Sequence, residues 1–308
     1  MSNKFIITAD WHLRSQRPRC RLDEDWLKTQ EEALYQIAVY AGENEADVIV
    51  IGDIFHSTNE TTNEVIGLVQ NFALTLADSD LSLYILAGNH DLPQHNLDNI
   101  NRSAFNILLN SKNIYHLSEI GENYQEKKAE RAFYGMNMSA ANFGEEDNTT
   151  AKIIFKHILC FPENAKLPPS DKIVKPSELF KQFSNAKYIF TGDYHRQFVY
   201  ENKEKMLFNS GCLIRQAADM IDYEPSVFLI DFSYMKDYKI LPIHDDEKMV
   251  TDEYIEKEEM RNSRIEAFIE RIKENEEVTF DFIENVHNLL KNNKIEEHIK
   301  SAVLELME

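Results

Sequence analysis

The chain is short of cysteine, glycine and basic residues, and each shortage narrows what it can be. Three cysteines in 308 residues, Cys20, Cys160 and Cys212, are odd in number and far apart. That suits neither a disulfide framework nor a thiolate zinc site. None of the nine glycines is followed by lysine, so no phosphate-binding P-loop is present and the chain cannot drive ATP hydrolysis itself. Apolar runs such as Phe5 to Thr8 and Val48 to Ile51 are far too short to cross a bilayer, and no apolar signal segment opens the sequence, which together imply a cytoplasmic protein with no membrane partner. With 33 basic against 53 acidic residues the net charge is −20, so the chain as a whole repels a polyanion. A stand-alone duplex-binding module is thereby disfavoured, but not a nuclease whose bound cations and local basic residues supply the attraction.

What is present is 43% hydrophobic residues, enough for a large core, arranged in alternating β-type and helical stretches. Strands are expected at Phe5 to Thr8, Val48 to Ile51 and Leu83 to Leu86, with helices from about Asp23 to Tyr40 and Thr61 to Ala77. Beyond Ala132 the pattern is strand-dominated, with candidates at Ile153 to His157, Tyr188 to Thr191, Phe198 to Tyr200, Met206 to Asn209 and Val227 to Phe232. An α/β protein with a mixed sheet or two packed sheets follows. Lys166 to Pro176, with three prolines, reads as a surface loop. From Thr251 onward the sequence has no glycine or proline, eight basic and sixteen acidic residues, and three helical apolar faces. The expected division is residues 1–245 as one domain and 246–308 as an acidic helical appendage, either packed on its own domain or docking a partner.

Five short segments put ligand-type residues directly after strand-like runs: Asp10-Trp11-His12, Gly52-Asp53 with His56, Gly88-Asn89-His90-Asp91, His157, and Gly192-Asp193-Tyr194-His195. Ligands at successive strand ends converge on one sheet edge. Gly52, Gly88 and Gly192 each precede a ligand candidate, where the chain must turn sharply or pack closely. Carboxylate, amide oxygen and imidazole together suit Mn²⁺, Fe²⁺ or Zn²⁺ better than an all-oxygen magnesium site. Arg14, Arg17, Arg19 and Arg21 follow the first motif and either line a phosphate site or form a solvated basic loop.

This order of motifs resembles the calcineurin-like metallophosphoesterases over residues 1 to about 240. The runs Ala9 to Leu13 and Gly52 to His56 are similar to SbcD-type DNA exonucleases and related phage recombination nucleases. The resemblance implies a two-sheet sandwich flanked by helices and two divalent metal ions, Mn²⁺ foremost with Mg²⁺ as a further candidate. Asp10, His12 and His195 would hold one ion, and Asn89, His157 and Asp193 the other. Asp53 would bridge them, with a bridging hydroxide attacking phosphorus. His90, oriented by Asp91, would serve the leaving oxygen, and His56 would position the substrate phosphate. Arg14, Arg17 and Arg215 are the candidate substrate contacts, Arg215 lying beyond the Asn209-Ser210-Gly211-Cys212 segment. The implied partners are DNA, an SbcC-like coiled-coil ATPase and, as a further option, a second copy of the chain. One departure stands out: the family has Gly-His-x-His at the last motif, and Asp193 here replaces an imidazole by a carboxylate. That substitution makes the centre less positive and shifts its preference toward Mn²⁺ or Mg²⁺, or else leaves the second metal loosely held. A small-nucleotide phosphodiesterase and a non-catalytic assembly subunit therefore stay open beside the nuclease.

Overall fold

A computed structural model describes residues 3–117, 138–141, 152–167, 173–234, 236–253, 255, 290 and 300. Eleven strands among them form two sheets. In the first, β1 (Lys4–Thr8), β2 (Asp47–Ile51), β3 (Leu83–Leu86) and β4 (Ile114–His116) run parallel, and β10 (Ser226–Asp231) and β11 (Lys239–Pro242) extend the β1 side in antiparallel fashion. In the second, β5 (Met138–Ala141), β6 (Ile153–His157), β7 (Tyr188–Gly192) and β9 (Lys205–Asn209) are parallel, with β8 (Phe198–Asn202) antiparallel at the edge.

The sheets are apolar on both faces, which is why their strands read as continuous hydrophobic runs. Phe5, Ile7, Ile49, Ile51, Tyr84 and Leu86 of the first sheet pack against Phe155, Phe190 and Phe208 of the second. Phe190 lies between the other two rings, 4.9 Å and 5.0 Å from them. The alternate residues Ile6, Val48, Val50 and Ile85 meet α1 (Trp26–Asn44), α2 (Asn63–Asp78) and α3 (Ala104–Leu109). On the far side, Ile154, Ile189 and Leu207 pack with Leu179 and Phe180 of α4 (Pro176–Gln182). The product is a two-sheet α/β sandwich with helices outside both sheets, as expected.

Several boundaries differ from the sequence reading. The first helix starts at Trp26 because the Asp25 carboxylate caps it by accepting the Lys28 N–H, while Asp23 is spent on Arg21. The stretch from Lys166 to Pro176 is not wholly loop. Val174 bridges Cys160, and Pro176 opens α4, its fixed φ suiting the first helical position. The first compact unit runs through Thr251 rather than Asp245, since Arg21 bridges Val250 and the Thr251 N–H donates to the Cys20 carbonyl. The second unit, Asp252–Glu308, contains the proposed helical faces; apart from Leu290, which is buried, their residues lie outside the described ones. No helix among the described residues is long and apolar enough to cross a membrane.

All three cysteines are buried and unpaired. Burial pushes the Cys160 thiol up to about 12 and raises Cys20 and Cys212 as well. The native protein is therefore expected to resist an aromatic disulfide reagent at pH 8 and to yield three thiols on unfolding. Rapid native reaction of any one would contradict this packing.

Candidate metal centre

Strand order alone brings the motifs together. Asp10, Asp53 and Asn89 follow the adjacent parallel strands β1, β2 and β3, while His157 ends β6 and His195 follows its neighbour β7. Both sets sit at the C-terminal ends of their strands, where the two sheets share an edge. The loops are laced to one another by backbone bonds: Asp10 N–H to the Gly52 carbonyl (3.1 Å), His12 N–H to the Asp53 carbonyl (2.9 Å) and Leu213 N–H to the Asp10 carbonyl (3.4 Å). Asp10, His12, Asp53 and Asp193 adopt left-handed φ of 50°, 45°, 50° and 84°. Such backbone costs of order 1–3 kcal/mol per residue and persists only where the surroundings over-determine it.

Four of the described glycines are required by contact, Gly88 and Gly52 among them. A Cβ on Gly88 would overlap the Asp53 carboxylate and backbone nitrogen, and one on Gly52, itself at φ 78°, would strike the His157 ring.

The donor atoms form two adjoining groups. His12 Nε2 and His195 Nε2 lie 3.0 Å apart and group with an Asp10 carboxylate oxygen. His157 Nε2 lies 3.2 Å from Asn89 Oδ1 and 3.3 Å from Asp53 Oδ2. That same Asp53 oxygen is 3.6 Å from His12 Nε2, so it stands between the groups. Donors spaced by about 3 Å are what bonds of ~2.1 Å to one cation impose. His157 Nδ1 lies 2.9 Å from the Ile51 carbonyl, to which it donates in the tautomer that leaves Nε2 free to ligate.

Asp10 and Asp53 are fully buried, and their ion-pair partners among the described residues are histidines. Burial and the neighbouring Asp53 carboxylate raise Asp10 well above the usual range, against the pull of His157. Burial opposes ionisation of Asp53 too, but His157 and His12 outweigh it and hold Asp53 down. Asp53 Oδ1 accepts the His90 N–H, whereas Asp53 Oδ2 and His12 Nδ1 are buried with no hydrogen-bond partner among the described residues. Buried carboxylates and an orphaned oxygen facing converging imidazoles fit divalent cations.

Three expected roles change. Asp91 does not orient His90: its carboxylate accepts the N–H groups of Phe55 (2.9 Å), Gly88 (2.9 Å) and Ile54 (3.3 Å), clamping the second motif to the third. His90 is oriented instead through Nδ1, 2.6 Å from the His56 carbonyl. Arg215 is no substrate contact. At 1% exposure, it pairs with Asp245 and donates to the carbonyls of Ile221, Asp245 and Asp246, while Arg21 shares the same Asp245. Asp193 donates its backbone N–H to both Asp10 oxygens (3.0 and 2.9 Å), and its carboxylate lies outside both groups of donor atoms.

Arg14 is half-buried near His56, and Arg17 is exposed, donating to the Asp23 carbonyl. Three residues to which the sequence assigns no such role hold the ligand loops. Gln216 donates to the carbonyls of Trp11 and His12, Asn209 to those of Tyr194 and Arg196, and buried Gln30 grips Arg14. Gln30 was detectable as a polar residue on the buried face of α1.

His56 illustrates the electrostatics of the rim. Burial and then the Arg14 guanidinium hold its pKa down to about 4, below the ordinary value of about 6.5. The unfolded chain therefore takes up a proton between pH 6.5 and 4 that the folded chain refuses. Stability is unaffected above pH 6.5 and falls as pH drops through that window. In chelator, urea titrations should show wild type losing stability relative to His56→Ala from pH 6.5 to 4; parallel profiles would contradict the assignment.

A family model described as calcineurin-like phosphoesterase matches residues 3–208. An uncharacterised protein of Acanthamoeba polyphaga mimivirus is 27% identical over 231 residues, which is 70% of this chain and 16% of that protein. Exonuclease subunit 1 of Enterobacteria phage T4 is 28% identical over 103 residues, 33% of this chain and 29% of that protein. The matched parts thus span less than a third of either relative. Among solved structures, a Thermus thermophilus protein is 13% identical with a TM-score of 0.47, covering 79% of this chain and 100% of its own. A dimetal phosphatase from Danio rerio is 11% identical with a TM-score of 0.43, covering 79% and 97%.

Proposed function

The chain belongs to the calcineurin-like phosphoesterase family, and from that premise we propose that it is a metal-dependent phosphodiesterase acting on DNA, an exonuclease or endonuclease of the SbcD type in recombination or repair. The observation that carries the reading is Asp53 Oδ2, buried without a hydrogen bond between two groups of donors, His12 with His195 and His157 with Asn89. Asp10, His12 and His195 would hold one divalent cation and His157 and Asn89 a second, with Asp53 serving both. When bound, such cations supply Lewis acidity, lowering the pKa of water and drawing charge from phosphoryl oxygens. Mn²⁺ suits the mixed oxygen and imidazole donors.

The protein's own groups do the rest. His90 has Nδ1 committed to the His56 carbonyl, so Nε2 is the nitrogen left for substrate; protonated there, it hands its proton to the leaving oxygen. Asp91 keeps the second and third motifs in fixed relation, which preserves the spacing between Asp53 and His90. DNA as substrate is supported by the phage T4 exonuclease subunit among the relatives and by the Asp10-Trp11-His12-Leu13 and Gly52 to His56 runs. Since the net charge of −20 opposes a polyanion, binding must depend on the cations and a local basic group. An SbcC-like coiled-coil ATPase is the proposed partner, supplying the nucleotide hydrolysis this chain lacks.

Asp193 favours a second reading. Its carboxylate stands where the family has an imidazole and lies outside both donor groups, so a subunit that retains one cation and serves assembly is the alternative.

The test is the purified chain with end-labelled linear DNA and Mn²⁺, with and without the ATPase, beside a chromogenic single-phosphate diester. DNA cleavage abolished by chelator is expected. Cleavage of the small diester alone would assign a small-nucleotide phosphodiesterase, and inactivity on both with a single bound metal would assign the assembly subunit.

A further inference from the structure

The pairing of β1 with β2 does not stop at the metal ligands. Leu13 bridges Phe55 in parallel, the Leu13 N–H donates to the Ile54 carbonyl (2.9 Å), and the His56 N–H donates to the Leu13 carbonyl (3.1 Å). Residues in step on a parallel ladder carry their side chains on the same face, so Arg14 stands beside His56. A row of imidazoles leads there from the metal centre. His12 lies 5.0 Å from His90 and 5.7 Å from His56, and the His90 and His56 rings are stacked at 5.9 Å. Arg14 thus places a permanent cation at the outer end of that row.

Its presentation is fixed by a group with no other evident duty. Gln30 is fully buried, and its Oε1 accepts the Arg14 N–H (2.9 Å) while its Nε2 donates to the Arg14 carbonyl (2.9 Å) and to that of Trp26 (3.1 Å). Arg14 Nε donates to the Gln16 carbonyl (2.9 Å), which sets the plane of the guanidinium. Its Nη groups make no hydrogen bond among the described residues. Glu60 is within electrostatic reach of both Arg14 and His56, and its Oε2 is buried with no hydrogen-bond partner among the described residues. A planar fork with free Nη groups, on a backbone locked by a buried amide, is a preorganised receptor for a phosphate.

We propose that Arg14 docks the phosphate adjacent to the scissile one, so that the site selects chains of at least two consecutive phosphodiesters over isolated diesters. This rests on the phosphodiesterase reading above and specifies its substrate class. Glu60 opposes the incoming phosphate and sets how tightly Arg14 holds it.

The experiment compares steady-state kinetics under Mn²⁺ on a five-residue oligothymidylate and on bis(4-nitrophenyl) phosphate. Relative to its effect on the single-phosphate diester, Arg14→Gln is expected to raise KM for the oligonucleotide about tenfold with kcat within about twofold, the loss of one charge-assisted contact. The slope of log KM against log salt should shrink by about 0.7. Arg14→Lys should recover part of the loss, and Glu60→Gln, which removes no contact to backbone, should shift KM the opposite way. Equal effects on both substrates, or a fall in kcat with KM intact, would overturn the proposal while leaving the nuclease reading in place. A wild-type protein that cuts the small diester and not the oligonucleotide would overturn both.

Discussion

Asp53→Ala is expected to bind at most one divalent cation and to cleave ~10³-fold or more slowly, several kcal/mol of transition-state stabilisation being lost with the shared ligand. The side chain has two duties that alanine cannot share. Oδ1 accepts the His90 N–H, and Oδ2 lies between His12 and His157. Its removal also relieves some crowding at Asp10, which loses Asp53 but keeps Asp193 as a neighbour raising its pKa. In chelator the variant should be less stable than wild type, because ionised Asp53 is held by His157 and His12 and accepts the His90 N–H, and with metal it should also lack the stabilisation that binding confers. Metal content by elemental analysis, kcat and chemical denaturation with and without Mn²⁺ check the three parts together. Two retained cations and activity within tenfold of wild type would remove Asp53 from the centre.

Gly88→Ala should do comparable damage without deleting a ligand. The added methyl would overlap both the Asp53 carboxylate and its backbone nitrogen, neither of which is the far end of a flexible chain. The third motif must then move away from the second, breaking the Asp91 bonds to Ile54 and Phe55 that hold the two in register. Overpacking of this kind costs ~1–3 kcal/mol. A displacement near 1 Å of Asn89 and His90 from Asp53 is enough to lower turnover ~10²-fold. Normal activity and metal content in this variant would mean that the turn is looser than the structure has it. The contrast with Gly42 is useful, since a Cβ there meets nothing within 4 Å and Gly42→Ala in α1 should be tolerated.

The ligand-bearing strand ends are legible in the sequence because buried parallel strands are short continuous apolar runs, and the residue after each must turn the chain toward the shared edge. Gly52 before Asp53 and Gly88 before Asn89 are the visible marks of that constraint. Strands β4 and β11 are not legible: three and four residues long at the sheet edges, they carry too little apolar sequence to stand out from loop. Arg215 misleads for a different reason. A basic residue near a motif looks the same in sequence whether it faces substrate or a buried acid, and its partner Asp245 lies thirty residues away. Asp91 misleads likewise, since a carboxylate next to His90 suggests an orienting partner until its oxygens are found on three backbone N–H groups. Asp193 is a visible departure whose outcome depends on side-chain reach, which spacing cannot convey.

Manganese titration of the purified, metal-free protein, followed by electron paramagnetic resonance, addresses the dinuclear centre most directly. The expected result is two ions per chain with the exchange-coupled spectrum of neighbouring Mn²⁺ ions, lost in Asp53→Ala. A single uncoupled ion at saturation, or a spectrum indifferent to Asp53, would contradict the shared-ligand site on which the proposed chemistry depends.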